Sequence, residues 1–323
     1  MGGHVLRTAL QKKETSSFLM FNSGLFYNLK RYRVLYLMIL PGLIYFIVFC
    51  YGPMYGITLA FKNFMYNKGI FGSPWVGLDN FKIILKDPGF WGAFKNTIII
   101  SIGKLICGFP APIILSLLLN ELRSLRYKRI VQSIIYIPHF FSWVIVSGIV
   151  FSLFSSTSGV VSKVLMSYFN LRMPSILSDP HLFKPLIFIT DVWKGAGWGT
   201  IIYLAAMAGI NMEIYESAVI DGANRFKQAI YITLPSIKYA VVIMLILSLG
   251  GVMNAGFDQI LNFISVPTYK AGDIIDTYVY RMGIVGAGFG TSAAIGLFKS
   301  VINCALLLTA NGIVKLLGEE GIY

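Results

Sequence analysis

Residues 210–238 hold the chemistry that stands out most in this sequence. They include Glu216-Ser217-Ala218-Val219-Ile220-Asp221-Gly222-Ala223-Asn224-Arg225-Phe226 and, after Lys227, Gln228-Ala229-Ile230-Tyr231-Ile232-Thr233-Leu234-Pro235. Glu213, Glu216 and Asp221 come early, while Arg225, Lys227 and Lys238 come late, an order that suits the dipole of a helix. Ala218, Gly222 and Ala223 offer a face of small side chains that a second surface can approach closely, and Ile214, Val219, Phe226 and Ile230 add an apolar face. Gly222 fits a bend or a close contact between two short helices. Pro235 fits the first turn of the next helix, where its missing N–H costs nothing. This is the chemistry of docking rather than of catalysis. An ordinary interhelical loop with an interfacial amphipathic helix would carry the same features.

A second set lies inside apolar runs, where polar side chains are expensive and mark function by default. One run opens Asp191-Val192-Trp193-Lys194-Gly195-Ala196-Gly197-Trp198 and continues to Tyr203. Asp191 and Lys194 are three apart and are expected to pair on one helix face near the outer interface. Gly195, Gly197 and Gly199 favour close helix contact or a bend lining a cavity. Asn254 and Asp258, one turn apart in the next run, are expected to share a face. Lys299 reads as a snorkelling cation and Asn303 as a packing group between helices. His139, after Pro138, reads as a satisfied buried histidine.

Enzymatic chemistry finds no support. Cys50, Cys107 and Cys304 each sit in an apolar run as small buried hydrophobes. His4, His139 and His181 are far apart, so no metal-ligand spacing exists. Gly103-Lys104 is followed by Leu105 and lacks a glycine five residues earlier, so the chain has no phosphate loop of its own. No nucleophile–base cluster is present.

The chain that holds these residues is 56% hydrophobic and only 13% charged, against about 25% in soluble domains. Its net charge of +13 comes from Lys and Arg at the ends of apolar runs, which points to the membrane–water interface rather than nucleic acid. Runs at 34–55, 97–119, 133–154, 185–209, 239–254 (extended toward 260) and 292–316 approach or exceed the ~20 residues that cross a bilayer. They lack period-two alternation, so the expected fold is an all-α membrane protein with six transmembrane helices. The first run is too long for a signal peptide and is expected to stay as a span.

Arg7, Lys12, Lys13, Lys30, Arg31 and Arg33 precede it with only Glu14, and Arg123, Arg126, Lys128 and Arg129 follow the second run with Glu121. Both segments are expected to be cytoplasmic. Five lysines (62, 68, 82, 86 and 95) in the first outer loop weaken that bias. The resulting plan has cytoplasmic tails at 1–33 and 317–323, a bundle at 34–316, and loop 210–238 on the cytoplasmic side. Segments 62–96, 155–184 and 259–291 face outward, with Trp75, Phe81, Phe90 and Trp91 as interfacial anchors.

The run Glu216-Ser217-Ala218-x-x-Asp221-Gly222-Ala223, followed by Ile232-Thr233-Leu234-Pro235, closely resembles the EAA motif of permease subunits in binding-protein-dependent ABC importers. Ser217 departs from the usual alanine, one small residue for another. Trp75-Val-Gly-Leu-Asp-Asn-Phe81 with Asp87, Phe90 and Asn96-Thr97 is similar to the segment before the second helix of sugar permeases. Leu40-Pro41-Gly42, Tyr51-Gly-Pro-Met-Tyr55, Phe257-Asp258-Gln259, Tyr278-Val-Tyr280 and Ala293-Ala-Ile-Gly296 resemble the subgroup that imports oligosaccharides from complex polysaccharides; an alginate-oligosaccharide permease is one member that fits.

The resemblance implies a type I ABC importer permease fold in a bacterial inner membrane, moving an oligosaccharide by alternating access. It implies a second permease subunit, expected as a heterodimer, and an extracytoplasmic solute-binding protein. It also implies an ATPase dimer that carries ATP and magnesium, with no cofactor on this chain. The ATPase is expected to grip Glu216, Ser217, Ala218, Asp221, Gly222, Ala223, Arg225, Phe226 and Pro235. Sugars are bound by planar hydrogen-bonding groups and aromatic stacking, and in related permeases the spans flanking the loop supply them. Asp191, Trp193, Lys194, Trp198, Tyr203, Asn254 and Asp258 therefore form the expected substrate pathway. The alternative from another class, a secondary transporter driven by an ion gradient, would call for inverted repeats and buried coupling carboxylates; no convincing repeat is present.

Overall fold

The computed structural model describes Tyr27, residues 31–172 and residues 174–316. Except for Tyr27 and residues 31–33, the expected tails at 1–33 and 317–323 lie outside the described residues. The chain divides into two compact units, 1–58 and 59–323.

In the first unit, helix α1 (Arg33–Tyr45) widens into a π turn over Phe46–Tyr51 and then tightens into a 3-10 helix, Gly52–Phe61. Pro53 lacks the N–H that would close an α turn onto Phe49, which is a local reason for the change of pitch. Together, Arg33–Phe61 is a 29-residue apolar helix.

The second unit opens with α2 (Asp79–Lys86), α3 (Pro88–Gly108) and α4 (Pro110–Asn120). Asp87 accepts from the Gly89 N–H at 2.7 Å, with Pro88 in the first turn, so the second apolar helix starts well before residue 97. α5 (Leu125–Tyr136) and α6 (Trp143–Phe154) cover the third run. They do not form one straight span: a 3-10 turn at Pro138 and the Ser142 cap bend the pair by 101°. After α7 (Val160–Phe169) comes α8 (Pro180–Ala208), opened by a second Asp-Pro start in which Asp179 accepts from His181 N–H at 2.8 Å.

α9 (Met212–Ile220) and α10 (Arg225–Gln228) carry the polar loop. α11 (Lys238–Gly250), α12 (Phe257–Phe263), α13 (Ile275–Tyr280) and α14 (Phe289–Leu316) complete the unit.

Among the described residues, three helices are long and apolar enough to cross a membrane, or five if each bent pair is one span. α8 is 29 residues long and carries Lys184, Asp191 and Lys194. It is also the hub of the unit, packing against α3, α4, α5 and α11. Its polar residues face neighbouring helices rather than lipid, which is how such a helix tolerates them.

One core joins Phe183 and Ile187 of α8 to Ile100, Val146, Ile260 and Phe263. A second joins Phe90, Ile275, Tyr278 and Ile295. Phe90 is thus a core residue, not an interfacial anchor. Tyr278 donates to Asp87 and so ties α13 to the start of α3. Burial, and then that hydrogen bond, push its phenol well above the usual range. The cysteines also depart from expectation: Cys50, Cys107 and Cys304 are all exposed, because an apolar side chain on a membrane helix can face outward at no cost.

Candidate coupling surface and transport pathway

Each turn of the 210–238 segment is locally specified. Asn211 caps α9 by accepting from Glu213 N–H at 3.1 Å. At its end, Ala223 N–H donates to Ala218 O at 2.8 Å and Gly222 N–H to Val219 O at 3.1 Å. Gly222 sits at φ +76°. These are the two bonds and the left-handed residue of a Schellman termination, so Asp-Gly at 221–222 reads directly as a helix stop. No heavy atom lies within 4 Å of where a Gly222 Cβ would stand. Of the two roles expected for this glycine, the bend is the one found within the chain.

Asn224 then caps α10 by accepting from Lys227 N–H at 2.9 Å, and buried Gln228 donates to Ala223 O at 2.9 Å. The segment leaves a row of large apolar side chains bare, with Ile220 86% and Phe226 72% exposed. Glu216, Ser217, Asp221 and Arg225 are exposed beside them, and Ala218 and Ala223 are half-buried. Arg225 also pairs with Glu121, at the end of α4, at 2.8 Å, a contact 104 positions apart that local spacing does not reveal. Pro235 falls in a short turn, Leu234–Ser236, and the following helix begins only at Lys238 after a 63° bend. It does not open that helix as expected.

The polar residues of α8 separate into two clefts. The first, about 300 Å³, is lined by Ser101, Lys104, Asp191, Tyr203 and Asn254, among others. Asp191 pairs there with Lys104 of α3 at 3.1 Å, not with Lys194. Lys104 also donates to Gln259, which is fully buried and itself donates to Ile187 O at 2.9 Å and to Thr190 Oγ1 at 2.8 Å. Sequence reasoning weighed Lys104 only as a phosphate-loop residue and missed this network. A lysine in the middle of the apolar run 97–119 was the signal.

The second cleft, about 380 Å³, is lined by Ser142, Trp143, Lys194, Asp258 and Asn262, among others. Lys194 donates to His139 O at 2.6 Å and lies 5.5 Å from the Trp143 ring centre. His139 is half-buried and stacked on Trp198, with centroids 4.5 Å apart and planes 4° apart; it is not a buried core histidine. Asn254 and Asp258 do not share a face. The backbone turns at Gly256 (φ +92°) before α12 begins, which sends them to different clefts. Trp193 and Trp198 are both exposed and line neither cleft. Lys299 does not snorkel: it pairs with Asp276 at 2.5 Å. Asn303 Oδ1 is buried with no hydrogen-bond partner among the described residues. Among those residues, no group of three His, Cys, Asp or Glu side chains is placed to hold a metal.

The sequence model of the family described as "Binding-protein-dependent transport system inner membrane component" matches residues 108–316. The chain belongs to this family. The permease is 44% identical over 295 residues to Protein LplB of Bacillus subtilis (strain 168), covering 91% of this chain and 92% of that protein. It is 42% identical to the polygalacturonan/rhamnogalacturonan transport system permease protein YteP of the same strain, covering 90% of each. A crystal structure of a bacterial alginate ABC transporter in complex with alginate pentasaccharide-bound periplasmic protein contains a chain that superposes with a TM-score of 0.83. Identity to that chain is 37%, over 92% of this permease and 99% of that chain. The permease is therefore a multi-pass component of a bacterial inner membrane and a transport subunit rather than an enzyme.

Proposed function

We propose that this permease imports oligosaccharides released from a complex acidic polysaccharide, as one half of a two-permease ABC importer with six spans per chain. α8 counts as a span in this reading, and the two tails and the 210–238 loop are cytoplasmic. The carrying observation is the loop: a Schellman stop at Gly222, a second cap at Asn224, and bare Ile220 and Phe226 on either side of them. Exposed apolar side chains on a water-facing loop are costly unless a partner covers them. The occupant supported here is an ATPase dimer that binds ATP and magnesium. Glu216, Ser217, Ala218, Asp221, Gly222, Ala223, Arg225, Phe226 and Pro235 form the contact. Closure of that dimer moves the loop, and the loop biases the bundle between its outward and inward states.

The substrate class is supported by the polygalacturonan and alginate systems to which the relatives belong. A solute-binding protein delivers the sugar from outside. Asp191, Tyr203 and Asn254 meet it in the first cleft, Lys194 and Asp258 in the second, and Trp198 beside His139. Trp193, which lines neither cleft and, unlike Trp198, stacks on no residue beside one, is the least supported of the expected set. Copurification with an ATPase, followed by ligand-stimulated ATP hydrolysis across an oligosaccharide panel, is the test. A purified permease that carries no ATPase and responds to an ion gradient instead would overturn the reading.

A further inference from the structure

The lysines of the two clefts differ in one respect that matters for cargo. Lys104 is neutralised by Asp191 at 3.1 Å and shares Gln259. Lys194, by contrast, has no carboxylate within 4 Å among the described residues; its one hydrogen-bond acceptor is the neutral carbonyl of His139. An ammonium carries three donors, so two remain free. The group faces a cleft of about 380 Å³ with Asp258 and Asn262 on another wall. Trp143, which also lines the cleft, lies beneath the cation at 5.5 Å. Asp191, three residues earlier on α8, and Asp258 across the cleft act on the ammonium only from beyond 4 Å, so its remaining donors are open to an anion that enters the cleft.

We infer that Lys194 is the residue that reads the carboxylate of an acidic sugar, and that the surrounding cleft is a uronate subsite. This rests on the oligosaccharide-permease reading above and adds the group that selects charge. The ammonium pairs with the sugar carboxylate through a charge-assisted hydrogen bond. Trp143, on the wall of the cleft, offers a flat apolar face to the pyranose. Asn262 supplies an amide and Asp258 accepts from sugar hydroxyls. Asp258 also repels the sugar carboxylate from its own wall, which orients the ring with its charge toward Lys194. The first cleft cannot select charge in the same way, because its lysine and aspartate cancel.

The test uses the purified whole complex without its binding protein. Equilibrium binding is measured for a uronate oligosaccharide and for the same oligosaccharide with its carboxyls reduced to alcohols, followed by uptake of the uronate in proteoliposomes. Lys194→Met is expected to weaken uronate binding at least tenfold while leaving the reduced sugar within about twofold, and Lys194→Arg is expected to keep most uronate affinity. Equal losses for both sugars, or no loss for either, would overturn the inference; Lys194→Arg separates a failure of packing from a loss of charge. Wild-type complex that binds neither sugar would instead sink the oligosaccharide reading, an outcome visible before any substitution is made.

Discussion

Replacing Gly197 by alanine probes the packing that holds α8, the helix that carries Asp191 and Lys194. A Cβ built on Gly197 stands 2.0 Å from the backbone oxygen of Ile135 and 2.7 Å from its carbonyl carbon. Ordinary contact starts at 3.4 Å, so α8 and α5 must part by about 1.4 Å (3.4 − 2.0). The obstacle is backbone and has no alternative rotamer to adopt. Forcing an extra carbon into a packed site costs about 1–3 kcal/mol. Alanine gains back at most about 1 kcal/mol of helix propensity. The net expectation is a destabilised complex in which Lys194 and Trp198 are carried out of place.

Gly195→Ala is the matched control, two residues away with nothing within 4 Å of its Cβ; there only the propensity gain remains. Thermal unfolding of the purified complex, read beside vesicle uptake, should show Gly197→Ala melting several degrees lower with uptake down at least tenfold. Gly195→Ala should be neutral or slightly stabilised. If Gly197→Ala matches wild type in both assays, the close approach of these helices is not a constraint and the reasoning fails.

At Gly222 the same substitution acts through conformation, since no atom crowds the site. A β-branched residue held in the left-handed region costs about 1–2 kcal/mol, so Gly222→Val should lose ligand-stimulated ATP hydrolysis while Gly222→Asn retains more; equal activities would refute the role of the bend. Asp191→Ala leaves Lys104 without its partner and should destabilise the complex by about 1–3 kcal/mol, less than for a fully buried pair because Asp191 is partly exposed. Adding Lys104→Met should recover much of that loss in a double-mutant cycle, and strict additivity would show that the two do not interact. Asn254→Ala and Trp198→Ala should each lower uptake a few-fold, at about 1 kcal/mol per lost hydrogen bond, with ATPase subunits still bound. Wild-type uptake and apparent affinity in both would remove them from the pathway.

The sequence alone determined the features set by composition and by neighbours within one turn. Long apolar runs with basic ends specify a helical membrane protein. The bend at Gly222 was legible because an Asp-Gly helix stop is local chemistry; the caps at Asn211 and Asn224 and the Asp-Pro starts are equally local but went unread, which put two helix starts too late, at 97 and 185 instead of 88 and 180. What local rules could not supply was which side chains meet across helices. Asp191 and Lys194 share a helix by spacing, yet Asp191 takes a lysine 87 positions earlier because α3 packs against α8 there. Asn254 and Asp258 parted because Gly256 turns the chain at a positive φ that the helical period does not announce. Lys299 turned from lipid interface to ion pair because Asp276 of α13 lies beside it. Pair formation inside a membrane is decided by which opposite charge packing brings within about 4 Å, since leaving either ion alone costs more than almost any local preference. That decision belongs to the tertiary structure.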